Sequence, residues 1–343
     1  MPKITKQQAR EFLEKIKPED KIAIIHHDDL DGFSSGILLY DFCKFKDCKN
    51  IKHLCLGTEP ISDYIKEQIK DCNKLIIADI PPFYISDYLK DYSDKEILYI
   101  DHHQPDTEIS EFILEYRVYK QYSPASKLTY ELTEKENKSK EWLAMAGMIT
   151  DYAFAYKENE EIINSFLKKE NITLHNYRKE VANKISSFLI YFNKEKNKSF
   201  EILQKVESWK DLNEIKKYSE EVENEIKAIE KDFNENKERI GKINLYMFHS
   251  IFPLKSVIAT ILSEKNPNET FIIMSQNKGE NDIHLSARYQ NERADVISLL
   301  KVGIKNLKNS SAGGHLRAAG GYLQAQDLPK FKENIREYSE TLK

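Results

Sequence analysis

Short apolar runs alternate with helical patterns through the first half of the chain. KIAIIH (21–26), IKHLCL (51–56), KLIIAD (74–79) and EILYID (96–101) have the length and β-branched character of strands. Helical patterns fall between them, near 33–43, 60–71 and 84–91. Apolar strands separated by helices predict βαβ units around a buried parallel sheet, an α/β fold. Ser123 and Pro124 open a further helix, with the serine as cap and the proline at the first helical position, and another helix covers 140–156. MPKITKQQAREFLEKIK, at the start, has no apolar signal core and reads as an amphipathic helix.

From about 158 to 240 glycine gives way to Lys and Glu. Leu203, Val206, Trp209, Leu212, Ile215, Val222, Ile226 and Ile229 recur there at three- and four-residue steps, which predicts one or more long amphipathic helices. A helical connector is the simpler reading; a coiled coil for a partner is the competing one. A third pattern starts near 242: INLYMFHS as strand, LKSVIATILSEK as helix, TFIIMSQ as strand, KGEND as turn and IHLSARY as strand. The helix ADVISLLKVGIKNL, a glycine-rich segment and a last helix near 328–342 complete a smaller α/β domain. The expected division is 1–157, 158–241 and 242–343.

Composition narrows the classes. The 343 residues carry a formal net charge of −4 and 31% charged residues. Mean hydropathy is −0.62. No apolar run approaches the ~18–20 residues of a membrane span, so the expected compartment is the cytoplasm, with no membrane partner. A net-acidic chain argues against a large basic surface for duplex nucleic acid and leaves room for a local basic pocket. Cys43, Cys48, Cys55 and Cys72 form no CxxC pair, and reduced, idle thiols are the expectation.

Acidic residues and histidines gather at the ends of the expected strands. His26-His27-Asp28-Asp29-Leu30-Asp31-Gly32 follows the first. His27, Asp29 and Asp31 sit two apart, so an extended chain turns them to one side. Charges crowded in this way repel unless a cation holds them, and hard divalent ions take carboxylate oxygen, with imidazole suiting Mn²⁺ as well. An acidic helix cap is the bland alternative. Asp79 ends the third strand, Asp101-His102-His103 the fourth, and Asp151 lies late in the helix through GMITDYAF. Several such positions converging on the carboxyl ends of parallel strands point to a metal centre, because open α/β sheets bind ligands there.

The C-terminal cluster has a different character. Gly313-Gly314-His315 stands in a run of small residues, and Ser286 and Arg288 share one face of a strand. Glycine backbone and a guanidinium both suit a phosphate; a tight turn beside a surface arginine explains the same residues equally well.

Together these residues resemble the DHH phosphoesterase superfamily. His27-x-Asp29-x-Asp31-Gly32 resembles its first motif, in a spacing like archaeal and RecJ-type members. Asp79 resembles the second, Asp101-His102-His103 the third and Asp151 the fourth. Ser286-x-Arg288 and Gly313-Gly314-His315 resemble motifs of the DHH-associated C-terminal domain in RecJ-like and nanoRNase-like members. The resemblance covers about 21–157 and 242–325. It implies a catalytic domain over 1–157, a connector over 158–241 and a substrate-binding domain over 242–343.

It also implies roles. His27 and Asp29 hold one metal, with His26 the alternative to His27. Asp31, His102 and Asp151 hold the other, and Asp79 bridges. Asp101 is a supporting carboxylate of the catalytic group, and His103 contacts the phosphate. Ser286, Arg288, Gly313, Gly314 and His315 bind substrate. The implied cofactor is a pair of Mn²⁺ ions, or Mg²⁺, which activate water against phosphorus.

The function expected on this basis is hydrolysis of short oligonucleotides or linear dinucleotides to mononucleotides. A RecJ-like exonuclease on longer single strands, and a phosphatase on 3′-phosphoadenosine 5′-phosphate or pyrophosphate, are the alternatives. A catalytically dead scaffold relative predicts eroded ligands, and none is eroded. The partner expected is the short single-stranded or dinucleotide substrate, with a homodimer left open.

Overall fold

The structure, a computed structural model, describes residues 3–57, 61–104, 107–119, 123–276, 279–291 and 295–341. It divides into two compact units, Met1–Glu220 and Glu221–Lys343.

The first unit runs α1 (Lys6–Glu14), β1 (Lys21–His27), α2 (Leu30–Phe45), β2 (Asn50–Leu56), α3 (Asp63–Ile69), β3 (Lys74–Ala78), α4 (Pro82–Leu89), β4 (Glu96–Asp101), β5 (Leu114–Arg117), α5 (Ala125–Thr133) and α6 (Glu141–Thr150). Among the described residues its strands form a five-stranded parallel sheet in the order β2-β1-β3-β4-β5. Side chains alternate across a strand, so each strand feeds two cores. Ile22, Ile24, Ile76, Leu98 and Ile100 pack with Phe12 and Leu13 of α1, Phe42 of α2 and Leu128 of α5. Ala23, Ile25, Leu75, Ile77, Ile97 and Tyr99 pack with Ile65 and Ile69 of α3 and with Ile85 and Leu89 of α4. Burial on both faces is why these strands read as unbroken apolar runs.

The expected strands and helices of this half are present. Residue 60, the expected start of the second helix, lies outside the described residues. β5 has no counterpart in the sequence pattern. LEYR is short and half charged, and at the sheet edge Glu115 pairs with Arg117 and with Lys3 at 3.2 Å. The helix after Ser123 starts one residue later than its signal. Pro124 stands at the cap of α5 and makes no side-chain capping bond.

The lysine- and glutamate-rich segment folds as several short helices and one long one: α7 (Lys157–Lys169), α8 (Leu174–Tyr177), α9 (Asn183–Tyr191), α10 (Lys196–Gln204) and α11 (Asn213–Asn236). Ile163, Phe166, Tyr177, Phe188, Leu203 and Ile215 bury against Phe33 and Ile37 of α2 and Trp142 and Met145 of α6. At about 1.5–3 kcal/mol for each large apolar side chain buried, this cluster is a core in its own right. The boundary between the units falls within α11.

The second unit continues with β6 (Glu238–Ile240), β7 (Ile243–Phe248), α12 (Lys255–Lys265), β8 (Thr270–Ser275), β9 (Asp282–Arg288), α13 (Val296–Gly303), β10 (Ser311–Gly314), β11 (Ala318–Gln324) and α14 (Leu328–Thr341). Among the described residues the sheet order is β10-β11-β9-β8-β7-β6, and only β7 and β8 pair in parallel, with α12 as their crossover. One face packs Ile272, Leu285, Ala287 and Leu323 against Leu300 of α13 and Phe331 and Ile335 of α14. α12 packs on β8 and β9 from the other side. Of the expected KGEND turn, Lys278 lies outside the described residues.

The glycine-rich segment forms the hairpin β10–β11. Gly314 has φ +130°, and a Cβ there would lie 2.6 Å from the Ala318 carbonyl oxygen, so glycine alone fits. No helix among the described residues is long and apolar enough to cross a membrane.

Candidate metal centre and anion-binding face

The strand order reverses between β1 and β3, and the crevice of an open parallel sheet lies outside the carboxyl ends of its strands at such a point. His27 ends β1, Asp79 follows β3 and His102 follows β4. Among the described residues, three groups of side chains bring one ligand atom each to within 4.8 Å of one another: His27, Asp29 and Asp79; Asp31, His102 and Asp151; Asp79, His102 and His103. Asp79 and His102 each belong to two groups, so the groups form one continuous cluster.

The local geometry is particular to each residue. His27 Nδ1 lies 2.9 Å from Asp29 Oδ2 and 3.8 Å from Asp79 Oδ2. His102 Nε2 lies 3.1 Å from Asp79 Oδ1, 3.4 Å from Asp151 Oδ2 and 3.8 Å from Asp31 Oδ2. Asp29 caps α2 and accepts from the Gly32 N–H at 3.0 Å. Asp31 sits in the first turn of α2 and reaches a second helix. Its carboxylate accepts the Ala125 N–H at 2.7 Å, the Ser126 N–H at 3.0 Å and the Ser126 hydroxyl. It thereby supplies the cap that Pro124 lacks, and α5 fixes Asp31 in turn.

Asp79 carries the backbone strain of the site. Its φ is +62°, a left-handed conformation that Asp tolerates better than most residues, and such outliers collect at functional sites. Its N–H donates to the Ile100 carbonyl at 3.0 Å, which ends the strand and turns the carboxylate out over the rim. Asp151 is disfavoured in a different way. It stands at the C-cap of α6, followed by Tyr152 at φ +57°. The helix therefore stops short of the expected residue 156, and a carboxylate sits where the helix dipole already points its negative end.

Asp101 belongs to none of the ligand groups but touches one member, and it accepts from two side chains, Tyr99 Oη at 2.9 Å and His103 Nδ1 at 2.7 Å. The Ile80 carbonyl lies against the same hydroxyl, whose single proton the two acceptors share. His26 is fully buried on the opposite side of the strand, against Phe33, Phe200 and His53, with its Nδ1 on the His27 carbonyl at 2.8 Å. The structure thus brings His27, and not His26, to the acidic cluster.

The electrostatics follow from this crowding. Burial and the charges of Asp29, Asp31, Asp151 and Asp101 push the Asp79 carboxyl well above its ordinary range. Burial likewise raises Asp31, against the pull of His102. Burial opposes the His27 imidazolium, but the Asp29 charge and hydrogen bond hold it at about 9. Burial also opposes His103, and the bond to Asp101 lifts it. The donor set suits divalent cations: carboxylates and imidazoles converge, Asp79 Oδ2 is buried with no hydrogen-bond partner among the described residues, and positive charge would relieve repulsion among four aspartates.

In the second unit, Ser286 and Arg288 lie on the same face of β9, opposite the α13–α14 core. Gly320 of β11 pairs Ser286, and Gly313 of β10 pairs Gly320. His315 is exposed in the hairpin loop, where its backbone exchanges hydrogen bonds with Ala318. Three residues escaped the sequence reading. Tyr99 was legible in principle, because it stands two positions from Asp101 on the same strand face. Ser126 gave no local signal, and neither did Lys196, which crosses from α10 to pair with Asp28 at 2.5 Å.

The sequence matches the DHH family, N-terminal domain, over residues 21–155 and the DHHA1 domain over residues 255–341. No curated protein matches it. Among solved structures, exonuclease RecJ bound to manganese is similar at a TM-score of 0.73 and 14% identity, covering 99% of this chain and 95% of that one. RecJ in complex with Mn²⁺ from Thermus thermophilus is similar at 0.69 and 15%, covering 98% of this chain and 55% of that one. The pGpG-specific phosphodiesterase PggH from Vibrio cholerae is similar at 0.53 and 13%, covering 94% and 99%. At such identities the likeness is one of fold.

Proposed function

We propose that this chain, which belongs to the DHH superfamily and carries its associated C-terminal domain, is a divalent-metal phosphodiesterase that hydrolyses short oligonucleotides or linear dinucleotides to mononucleotides. The observation that carries the reading is the continuous cluster of ligand groups at the carboxyl ends of β1, β3 and β4, joined through Asp79 and His102. Phosphoesterase chemistry on this fold, together with a pGpG phosphodiesterase and manganese-bound exonucleases among its structural neighbours, supports it.

His27 and Asp29 would hold one ion, and Asp31, His102 and Asp151 the other, with Asp79 shared. Two divalent cations, when bound, supply Lewis-acid charge to a phosphoryl group and acidify the attacking water. The other work belongs to the chain. α5 holds Asp31 in one orientation and leaves Oδ2, which takes a single N–H, with a lone pair to spare. The Tyr99–Asp101–His103 relay keeps His103 in a fixed rotamer and favours its protonated form, so Nε2 is a cationic donor for a phosphoryl oxygen. In the second unit, Ser286, Arg288, His315 and the Gly313–Gly314 backbone would hold the substrate's anionic end.

The test is hydrolysis by the full chain after exhaustive metal removal and Mn²⁺ addition. The substrates are a 5′-phosphorylated dinucleotide, a 20-nucleotide single strand, 3′-phosphoadenosine 5′-phosphate and pyrophosphate. The highest kcat/KM is expected on the dinucleotide. A clear preference for the long strand would move the protein to the RecJ-like exonucleases, which the fold match to RecJ favours as second reading. Full activity under excess chelator would refute the metal mechanism.

A further inference from the structure

One helix of the lysine- and glutamate-rich segment reaches the end of β1. α10 begins at Lys196, and Lys196 Nζ lies 2.5 Å from Asp28 Oδ2. Asp28 follows His27, the last residue of β1. Its other oxygen, Oδ1, faces His27 Nε2 at 3.6 Å. The opposite ring nitrogen, Nδ1, is the one turned to Asp29 and Asp79, at 2.9 and 3.8 Å. The two nitrogens of His27 therefore look at different carboxylates. One side meets the ligand cluster, and the other meets an aspartate tied to a helix far along the chain.

α10 holds the strand end at two places. Phe200 stands four positions after Lys196, so the two share one face of the helix. The Phe200 ring stacks on His26, with centroids 5.6 Å apart, and on His53 at 3.7 Å. α10 thus grips the residue before His27 through Phe200 and the residue after it through Lys196. Phe200 is buried in the core that this segment shares with α2 and α6. That burial sets where α10 lies, and with it where the Lys196 ammonium reaches.

Lys196 is not what the helix by itself would choose. A cation in the first turn meets the positive end of the helix dipole, and the first turn of α10 holds no acidic residue. The contact with Asp28 supplies the reason for it. Gly57, just past β2, leaves the space on the far side: a Cβ there would lie 2.9 Å from Asp28 Oδ2 and 3.7 Å from Lys196 Nζ. The Lys196 and Asp28 side chains are 28% and 30% exposed. A pair so placed adds little to stability. What it can contribute is direction, because it fixes which way the Asp28 carboxylate points.

A neutral imidazole carries one proton. With Nδ1 given to a divalent cation, that proton stands on Nε2, and the carboxylate facing Nε2 is Asp28. A metal-ligating histidine whose other N–H meets a carboxylate is held in one tautomer and is a more basic ligand. We propose that Asp28 and Lys196 are positioning residues for His27. Asp28 sets the tautomer and ring angle of His27, and Lys196 keeps the Asp28 carboxylate turned to Nε2 and away from the ion. This rests on the reading of the cluster as a metal centre. It gives the charged helical segment a task there besides packing.

The test is Mn²⁺ binding by the metal-stripped full chain, titrated by electron paramagnetic resonance, with dinucleotide hydrolysis read in parallel. Circular dichroism checks that each variant is folded. His27→Ala identifies the site in question as the one it removes. Asp28→Asn should weaken that site about tenfold or more, the range for a partner behind a metal-bound histidine. Lys196→Met should weaken it about threefold or more, and Lys196→Arg should keep it. In the Asp28→Asn background Lys196→Met should change nothing further, because the lysine acts through the aspartate. A cation acting only through space predicts the opposite sign, since its removal lets a divalent ion bind more tightly. A gain of Mn²⁺ affinity in Lys196→Met therefore overturns the proposal. So does wild-type affinity in Asp28→Asn. So does a Lys196→Met variant with unchanged Mn²⁺ affinity and a raised KM, which would make Lys196 a substrate contact. Wild type that binds no Mn²⁺ sinks the metal reading itself; wild type that binds it, with both variants unchanged, sinks the positioning role alone.

Discussion

The two units use their side chains in opposite ways. At the rim of the first, charged side chains are packed together until they oppose one another: burial and four aspartates raise the Asp79 carboxyl, and Asp151 sits at the unfavourable end of α6. On the face of the second, side chains are withheld, and Gly313 and Gly320 leave bare backbone that no neighbour requires. The first arrangement is a concentrated repulsion that positive charge relieves. The second is bare backbone beside Arg288. One suits bond breaking, where charge must be concentrated, and the other suits recognition, where shape must be left free.

The sharpest way to break this contrast lies in the first unit. Asp79→Ala should lower kcat/KM by more than the roughly 100-fold typical of an outer partner, because Asp79 takes part in two of the ligand groups. Thermal stability without metal should hold or rise in the same variant, since a repelled buried carboxylate is removed. Near wild-type turnover, or a large loss of metal-free stability, would contradict the reading. Asp101→Asn comes next. It keeps the shape but weakens the hold on His103, and a fall of about 10–100-fold in kcat with little change in KM is expected. A variant that changed KM alone would place His103 in binding.

Changes in the second unit should be smaller and of another kind. Arg288→Ala should raise KM about tenfold or more and spare kcat, as expected for a contact made equally in ground and transition states. A reversed pattern, with kcat falling and KM steady, would erase the division of labour between the units. The smallest effect concerns pH. The Lys255 ammonium is held at about 8, against an ordinary value of 10.5. It is charged in folded and unfolded chains below pH 8 and neutral in both above about 10.5. Its burial therefore costs stability in full below pH 8, and that cost is relieved as pH rises from 8 to 10.5. Thermal stability should rise over the same interval, and Lys255→Met should flatten that rise. A rise unchanged in the variant would assign it to other groups.

Much of the first unit was legible along the chain because its signals are local. Doubly buried strands declare themselves as apolar runs, and His27, Asp29, Asp79 and His102 stand at strand or helix ends that the pattern marks; Asp151, expected inside a helix reaching 156, proves to cap its end. β5 escaped because an edge strand needs few apolar residues, and its charges pair among Arg117, Glu115 and Lys3. The lysine- and glutamate-rich helices read as a connector. Their apolar stripe shows only that they bury a face, while Trp142 and Phe33, far away in sequence, supply what Leu203 and Ile215 bury against.

Sequence alone determined that acidic residues and histidines gather at the ends of parallel strands, because period and spacing are properties of neighbours along the chain. Tertiary structure decided which of two adjacent histidines joins the cluster. His26 and His27 differ by one position, and the pleat of β1 sends one into an aromatic core and the other to Asp29 and Asp79. It also decided that α5, 94 residues on from Asp31, holds that carboxylate. And it set Ser286, Gly320 and Gly313 in one row, because only the register between β9, β11 and β10 lines them up.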